Sequence, residues 1–504
     1  MKHAMKHAMK HTMKRAMTPP ISLSIHAAAS AAAHAGAAHG PRRRVAAALT
    51  ATAVLGGCTS LSTDGGFAPV AQTAQVRLGK ELRWARTDAD RDAIEQRLRE
   101  LLGGPLSVDD AVQIALLNNR GLQAGYHELG IAEADLVQAG RLPNPGVGFA
   151  RKTQGGEIEI EWLLAVNLAR LVAMPLVAEV ESRRFAHTQL RVSLQMLTLA
   201  AETRKAYFNA VAAEETVRYT RQVMQAAEAG AELARRMEQV GNFTKLQRAR
   251  DQGFYADAAL NLARAQQAQH ATRERLTRLL GLWGAQTQFS LPERLPDLPK
   301  ATVDLPDLER LALEQRLDVR GAKLAAEQTA KNLGLTRTTR FINVLEAGAI
   351  YNTFDDAPSQ RGYEIAFELP LFDWGDARVA KAEAIYLQAV DRAAQTAIDA
   401  RSEVREAYLG YRSAYDIARH QRDEIVPLRR KIAEENLLRY NGMLIGVFEL
   451  LADARAQIAS VNGAIEALRD FWIAQADLDM ALIGKPTLAP PASPAATAAG
   501  SAGH

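Results

Sequence analysis

Between Glu157 and Trp162 the chain alternates acid and apolar residue without a slip, Glu157-Ile158-Glu159-Ile160-Glu161-Trp162. About 200 residues later Tyr363-Glu364-Ile365-Ala366-Phe367-Glu368-Leu369 repeats the alternation. A period of two belongs to a strand with one apolar and one wet face. Elsewhere the spacing is helical. Ser107, followed by Asp109 and Asp110 and then by Val112, Ala115, Leu116, Leu122 and Leu129, reads as a capped helix start leading into an apolar stripe. That helix is expected to stop near Gly140, before Leu142-Pro143-Asn144-Pro145, because proline cannot continue a helix and restricts the residue before it. From about Ala178 to Gln239, and from Asp376 to Tyr440, the sequence is nearly free of Gly and Pro, Pro427 excepted. Roughly 60 residues rising 1.5 Å each make a helix on the order of 90 Å long. No globular core is that deep, so side-by-side packing in a coiled coil or tunnel wall is expected.

The pattern occurs twice. Ala201-Glu202-Thr203-Arg204-Lys205-Ala206-Tyr207 reads against Ser402-Glu403-Val404-Arg405-Glu406-Ala407-Tyr408, Ile114-Ala115-Leu116 against Leu311-Ala312-Leu313, and Leu280-Gly281 against Ile483-Gly484. The near-constant spacing is that of a duplicated unit with small loop insertions. Each copy is expected to run helix, two short strands, very long helix, turn, long helix.

The start of the chain changes the reading of charge. Arg42, Arg43 and Arg44 precede the apolar run Val45 to Leu55, which ends in Gly56-Gly57 and the single cysteine, Cys58. A basic segment, an apolar segment and small residues before a cysteine make a lipoprotein signal peptide, with Cys58 as the lipidated N-terminus of the mature chain. Thr59 stands where an aspartate would signal inner-membrane retention, so the outer membrane is the expected destination. The Met-Lys-His tract with His3, His7 and His11 falls in the removed segment and carries no metal-binding role in the mature protein. Residues 1–57 hold eight basic residues and no acid, leaving 53 basic against 57 acidic residues, so the net charge of +4 is no sign of nucleic acid. Apolar content of 48% excludes wholesale disorder, and aromatics at 6% with abundant Ala, Leu, Arg, Glu and Gln favour long helices. No run of 18 apolar residues follows Cys58, so a membrane crossing would have to be a β-barrel.

Three stretches, Ser107-Val108-Asp109-Asp110-Ala111 through Asn118-Asn119, Leu142-Pro143-Asn144-Pro145, and Glu368-Leu369-Pro370-Leu371-Phe372-Asp373-Trp374-Gly375, resemble the TolC-like outer-membrane factors of tripartite efflux pumps. The resemblance covers about Ser107 to Gly484. The first copy departs from the family at Met174-Pro175, where many members carry a Gly- or Asp-containing exit. The resemblance implies a mainly α fold with a small β part: long antiparallel helices forming a periplasmic tunnel, and four strands per protomer joining a trimeric twelve-stranded outer-membrane barrel. The implied divisions are a removed signal peptide (1–57), a lipidated tether with one short helix (58–105), a first repeat (106–285, strands about 145–168), a linker (286–303), a second repeat (304–484, strands about 341–370) and a disordered tail (485–504). The implied partners are two further copies of the chain, a periplasmic adaptor (membrane fusion) protein, an inner-membrane efflux pump of the RND type and outer-membrane lipid. No nucleic acid is implied, and no cofactor beyond the lipid on Cys58.

Such a duct exports small solutes, heavy-metal cations or drugs, and its residues face either solute or partner. By alternation Glu157, Glu159, Glu161, Glu364 and Glu368 share the face opposite Ile158, Ile160, Trp162, Ile365 and Phe367, and would line the lumen and favour cations. The turns Val240-Gly241-Asn242-Phe243 and Asn441-Gly442-Met443-Leu444-Ile445-Gly446 are the candidate adaptor-docking tips, their glycines permitting a left-handed reversal between helices. Within them Val240, Gly241, Asn242, Gly442, Met443, Leu444 and Gly446 would carry the contact. Glu449 and Asp453, one turn apart beyond the second tip, would form a periplasmic gate with arginines such as Arg439. His127, His187, His270, His420 and His504 have no ligand spacing, so no metal site is expected. An enzyme is disfavoured, since no Gly-x-Ser-x-Gly elbow, His-Glu-x-x-His pair or phosphate-binding loop occurs after Cys58. A lipid-anchored coiled-coil scaffold explains the anchor and helices but not the paired strands. A duct for protein secretion would use the same fold.

Overall fold

The computed structural model describes residues 60–488, Asn343 excepted. Cys58, the expected signal peptide and most of the expected tail lie outside the described residues. Two helices, α1 (Ala68–Leu78) and α2 (Asp88–Leu101), precede the first copy. That copy comprises α3 (Val108–Asn118), α4 (Arg120–Ala139), β1 (Gly146–Gln154), β2 (Glu157–Asn167), α5 (Leu168–Gln239) and α6 (Lys245–Leu280). The second comprises α7 (Leu308–Gln315), α8 (Leu317–Thr339), β3 (Leu345–Phe354), β4 (Gln360–Phe367), α9 (Asp376–His420), α10 (Val426–Asn441) and α11 (Val447–Ile483), with one π turn, Gln421–Ile425, between α9 and α10. The order repeats as expected, and the chain is mainly helical with one small sheet.

Local chemistry sets the boundaries, and three of them differ from expectation. The helix opening at Ser107, whose Oγ accepts from the Asp110 N–H at 3.1 Å, breaks at Asn119 before reaching Gly140. There the Asn119 Oδ1 accepts the Leu122 N–H at 3.1 Å and caps a new helix. The first long helix begins at Leu168, ten residues ahead of the expected Ala178, because Asn167 ends β2 and at once caps α5 by accepting the Arg170 N–H at 2.7 Å. Pro175 therefore lies inside this 72-residue helix, which rises about 108 Å. The expected tether contains two helices, not one, and both pack: Val70 and Ala74 of α1 sit against Leu122 and Tyr126, and Ile94 and Leu98 of α2 join Ala111 and Tyr207.

The core is a belt across the middle of the long helices. One cluster gathers Leu98, Ile114, Phe208, Val211, Leu276 and Phe289, a second Trp84, Leu116, Tyr126, Leu129 and Met196, a third Ala312, Val404, Tyr411, Tyr415 and Phe471. Matching residues of the two copies tie the belt to the helices. Tyr207 donates to the Leu106 carbonyl at 2.9 Å, and its counterpart Tyr408 to Asp304 at 3.4 Å. Asn119, between α3 and α4, donates to the Leu279 carbonyl at 3.0 Å, and Arg316, between α7 and α8, reaches the Ala481 carbonyl at 3.5 Å. Toward the tips burial falls away, and α10 buries no residue.

Arg316 is 1% exposed and pairs with Asp318 at 2.7 Å and Glu403 at 2.6 Å, while also reaching the Ala400 carbonyl. It joins α8, α9 and α11 in one charged knot. Removing one partner of such a buried group strands the others, at about 3–5 kcal/mol. Arg316→Ala is expected to lower the thermal midpoint of the helical circular-dichroism signal by several degrees, whereas Arg430→Ala, which breaks only the exposed pair with Glu434, leaves it unchanged. Equal midpoints in the two variants would refute the role of the knot.

Candidate functional site

The four strands form one antiparallel sheet in the order β1-β2-β3-β4, so β2 and β3 join the two copies. Residues paired directly across an antiparallel ladder share a face. The register pairs Lys152 with Glu159, Glu161 with Asn352, Asn167 with Glu346, and Gly348 with Glu364. One face therefore carries Lys152, Glu157, Glu159, Glu161, Asn352, Glu346 and Glu364. The opposite face carries Val147, Phe149, Trp162, Leu164, Tyr351, Tyr363, Ile365 and Phe367, all of them exposed. Phe149 and Trp162 meet edge to face with centroids 5.0 Å apart. Among the described residues nothing covers this mainly apolar face, which also carries Arg151 and Arg361.

On the polar face several groups pair, while the buried Asn352 Oδ1 has no partner among the described residues. The Lys152 Nζ donates to Glu161 at 2.7 Å, Asn352 to Glu159 at 3.0 Å, and Asn167 to Glu346 at 3.5 Å. Leu163 fills the space over Gly348, where an added Cβ would lie 2.7 Å from its Cδ1. Lys152, Asn352 and Glu346 belong to this face and were not anticipated; the small residues around Glu346 blur its strand period. Glu157 stands at the far end of β2, beside the Gly155-Gly156 turn, and Asp355 accepts the neighbouring Ile158 N–H at 3.1 Å. Glu368 lies one residue past β4, its N–H donating to the Val344 carbonyl at 3.3 Å, so strand alternation does not fix its side.

The two tips share one backbone design. Asn242 donates to the Met237 carbonyl at 2.8 Å, and Leu444 to the Arg439 carbonyl at 2.8 Å. The residue before each donor is left-handed: Gly241 with φ 81° in the first tip and Met443 with φ 58° in the second. Gly442 and Gly446 are not left-handed, with φ −80° and −86°. The expected glycine reversal thus holds at Gly241 only, and Met443 adopts a conformation costing about 1–2 kcal/mol without glycine. Val240, Met443 and Leu444 are exposed there. Thr244 closes the first tip with a capping box to Gln247, and Glu238 bridges to Arg248 across it at 2.8 Å. Nearby, hydrogen bonds from Arg235 and Arg236 hold the Glu232 carboxyl down at about 2.

Glu449 lies in the first turn of α11 and is exposed, and Asp453, one turn on, accepts from the Asn436 side chain. Among the described residues no ion pair joins Arg439 to either acid within the protomer; Arg439 is exposed on α10. The arginine that does bridge is Arg455, on α11, which reaches Asp257 of α6 at 3.1 Å and stands 5.6 Å over the Phe254 ring. It links the two helical hairpins, a long-range pairing that no local spacing shows. Beside it Thr220, Phe254, Arg264 and Asn462 line a cavity of about 470 Å³. Cys58 lies outside the described residues. Among those described, no group of His, Cys, Asp and Glu is arranged to hold a metal ion, and no helix is long and apolar enough to cross a membrane.

No family model matches the chain. The cobalt-zinc-cadmium resistance protein CzcC of Cupriavidus metallidurans is 25% identical over 281 residues, 54% of this chain and 64% of that protein, short of two thirds of its length. The Campylobacter jejuni CmeC outer-membrane channel superposes with a TM-score of 0.66 at 15% identity, covering 82% of this chain and 91% of that one. The channel CusC superposes with a TM-score of 0.63 at 18% identity over 75% and 92% of the two chains. The Vibrio cholerae outer-membrane protein VceC gives a TM-score of 0.63 at 16% identity over 75% and 96%. The four-stranded sheet on repeated long helical hairpins is therefore the TolC-like fold of these outer-membrane channels.

Proposed function

We propose that the chain is one subunit of an outer-membrane efflux channel, a passive exit duct for small solutes. The observation that carries this reading is the sheet: one apolar and one polar face, strands of 8–11 residues, and outer edges β1 and β4 without partners among the described residues. Tilted strands of about 9–11 residues span a bilayer, and inside lipid each backbone N–H and C=O must be paired. Three copies joined edge to edge close a twelve-stranded barrel with the apolar face to lipid and the glutamates to the lumen. Below it α5, α6 and α9 to α11 form the tunnel wall.

The reading extends to cargo and partners. An acid-rich lumen, reduced but not cancelled by Lys152, favours cations, and the relative is named for cobalt, zinc and cadmium resistance. Heavy-metal cations are thus the favoured cargo, with drugs the alternative. Val240, Met443 and Leu444 at the tips suit an adaptor protein coupled to an inner-membrane pump, and lipid on Cys58 would anchor the trimer. Glu449 and Asp453 of three chains would ring the tunnel near its tips, with Arg439 available to a neighbouring copy. This function needs no catalysis and no cofactor.

In planar bilayers the purified protein is expected to give a cation-selective pore whose open probability rises when Glu449 and Asp453 are both changed to alanine. An unaltered pore would remove the gate, and no current from either inserted protein would remove the channel. In proteoliposomes a charged, membrane-impermeant maleimide is expected to label Glu161→Cys at least several-fold faster than Leu164→Cys; equal or reversed rates would contradict the assignment of the two faces.

A further inference from the structure

Alternation along the four strands gives the face of Trp162 and Tyr351 two charged residues, Arg151 and Arg361, and no acid. Both arginines are exposed. The Arg151 guanidinium has no hydrogen-bond or ion-pair partner among the described residues, and that of Arg361 lies over the Tyr351 ring, 5.8 Å from its centroid. On the polar face, by contrast, Lys152 is paired with Glu161 at 2.7 Å.

The two arginines share one end of the sheet and stand on its opposite edges, Arg151 on β1 and Arg361 on β4. Arg361 lies in the row of Tyr351, Trp162 and Phe149, and Arg151 pairs with Ile160, two residues nearer the Gly155-Gly156 turn. At about 3.4 Å per residue the two rows are about 7 Å apart along the strands. This end is the one away from the helices, since α4 and α8 lead into β1 and β3 while β2 and β4 lead out to α5 and α9. The acids near it are placed otherwise: Glu157 lies on the polar face, and Asp355, just past β3, accepts the Ile158 N–H at 3.1 Å. A guanidinium on a lipid-facing strand needs an anion, and it is best tolerated toward the headgroup level, which its long side chain can reach.

We propose that Arg151 of one copy and Arg361 of the next form a binding site for the phosphate groups of an outer-leaflet glycolipid. The proposal rests on the reading of the sheet as one third of a membrane-spanning barrel. Closing that barrel joins β1 of each copy to β4 of its neighbour, so every seam brings one Arg151 and one Arg361 to the same outward surface. One chain alone holds no complete site. Three features select the ligand. In that reading the end away from the helices lies in the outer leaflet, where the lipid head is a phosphorylated disaccharide. Guanidinium groups bond phosphate through two N–H groups at once, and Thr153, next toward the turn on β1, adds a hydroxyl. Phe149 and Trp162, toward the helices, offer an exposed aromatic surface to the acyl chains below. A lipid held this way would staple neighbouring copies together at their seam.

The test is native mass spectrometry of the full-length protein, released from detergent micelles after titration with bisphosphorylated lipid A. Wild type is expected to bind one lipid at each seam of the trimer. Arg151→Gln combined with Arg361→Gln is expected to keep the trimer mass and to weaken binding at least tenfold, whereas Arg429→Gln combined with Arg430→Gln, which removes two exposed arginines of α10, leaves it unchanged. Monophosphorylated lipid A is expected to bind several-fold more weakly. A wild-type trimer that takes no lipid A, equal binding by the sheet variant, or an equal loss in the α10 variant would overturn the site while leaving the barrel standing. Phosphatidylglycerol displacing lipid A at equal concentration would overturn the choice of glycolipid. Dissociation of the sheet variant into single chains would assign Arg151 and Arg361 to ion pairs between copies and overturn the lipid site. A wild-type protein that stays a single chain would overturn the barrel, and the site with it.

Discussion

A strand inside a bilayer has no water to satisfy its backbone, and among the described residues the outer edges of β1 and β4 have no partner. Four strands in one sheet leave two outer edges, so one chain does not close the ladder by itself. The two hairpins come from two copies of one sequence plan and meet at β2 and β3, where the register sorts the glutamates to one side and Trp162 and Tyr351 to the other. Closure by further copies would satisfy the edges, bury the acids around water and turn the apolar face to lipid in a single step. In the proposed trimer, lipid exposure of one face and hydration of the other would thus be two results of the same pairing.

The helices answer a different constraint, that of holding rods of 72 and 45 residues side by side with little core. The structure concentrates burial in a belt at mid-height and fastens it with polar side chains aimed at helix-end carbonyls. Asn119 in the first copy and Arg316 in the second occupy corresponding breaks between helices and reach carbonyls in the last turn of the return helices, one position apart in the repeat. Away from the belt the hairpins hold by sparse contacts such as Arg455 to Asp257 and Glu238 to Arg248. A wall that is stiff at its waist and lightly tied near its tips suits a duct that must stay in place and still open at its end.

Much of this was legible in the sequence because the signal was periodic. The unbroken alternation at Glu157 to Trp162 places a two-faced strand, and the repeated Glu-x-Arg-x-Ala-Tyr segments at Glu202 and Glu403 place the duplication. Features set by contacts distant in the chain were not legible. The break at Asn119 depends on a side chain that can cap a helix and bond Leu279 at once, and the Asn118-Asn119 pair was its only local trace. Glu346 hid among Ala and Gly residues that show no period. Arg439 makes no ion pair with Glu449 or Asp453 among the described residues of one protomer, and the pair between Arg455 and Asp257, 198 residues apart, has no local trace in the sequence. At the second tip glycines marked the turn correctly, but Met443 takes the left-handed position that Gly241 holds in the first.

In the proposed channel, copies of this chain complete each other's sheet within a membrane. Electron cryo-microscopy of the full-length protein in lipid nanodiscs tests it most directly. The expected result is a threefold assembly with one closed barrel inside the disc and a helical tunnel projecting from it on one side. A single chain bound at the disc surface, or helical hairpins associated without a barrel in the lipid, would contradict it.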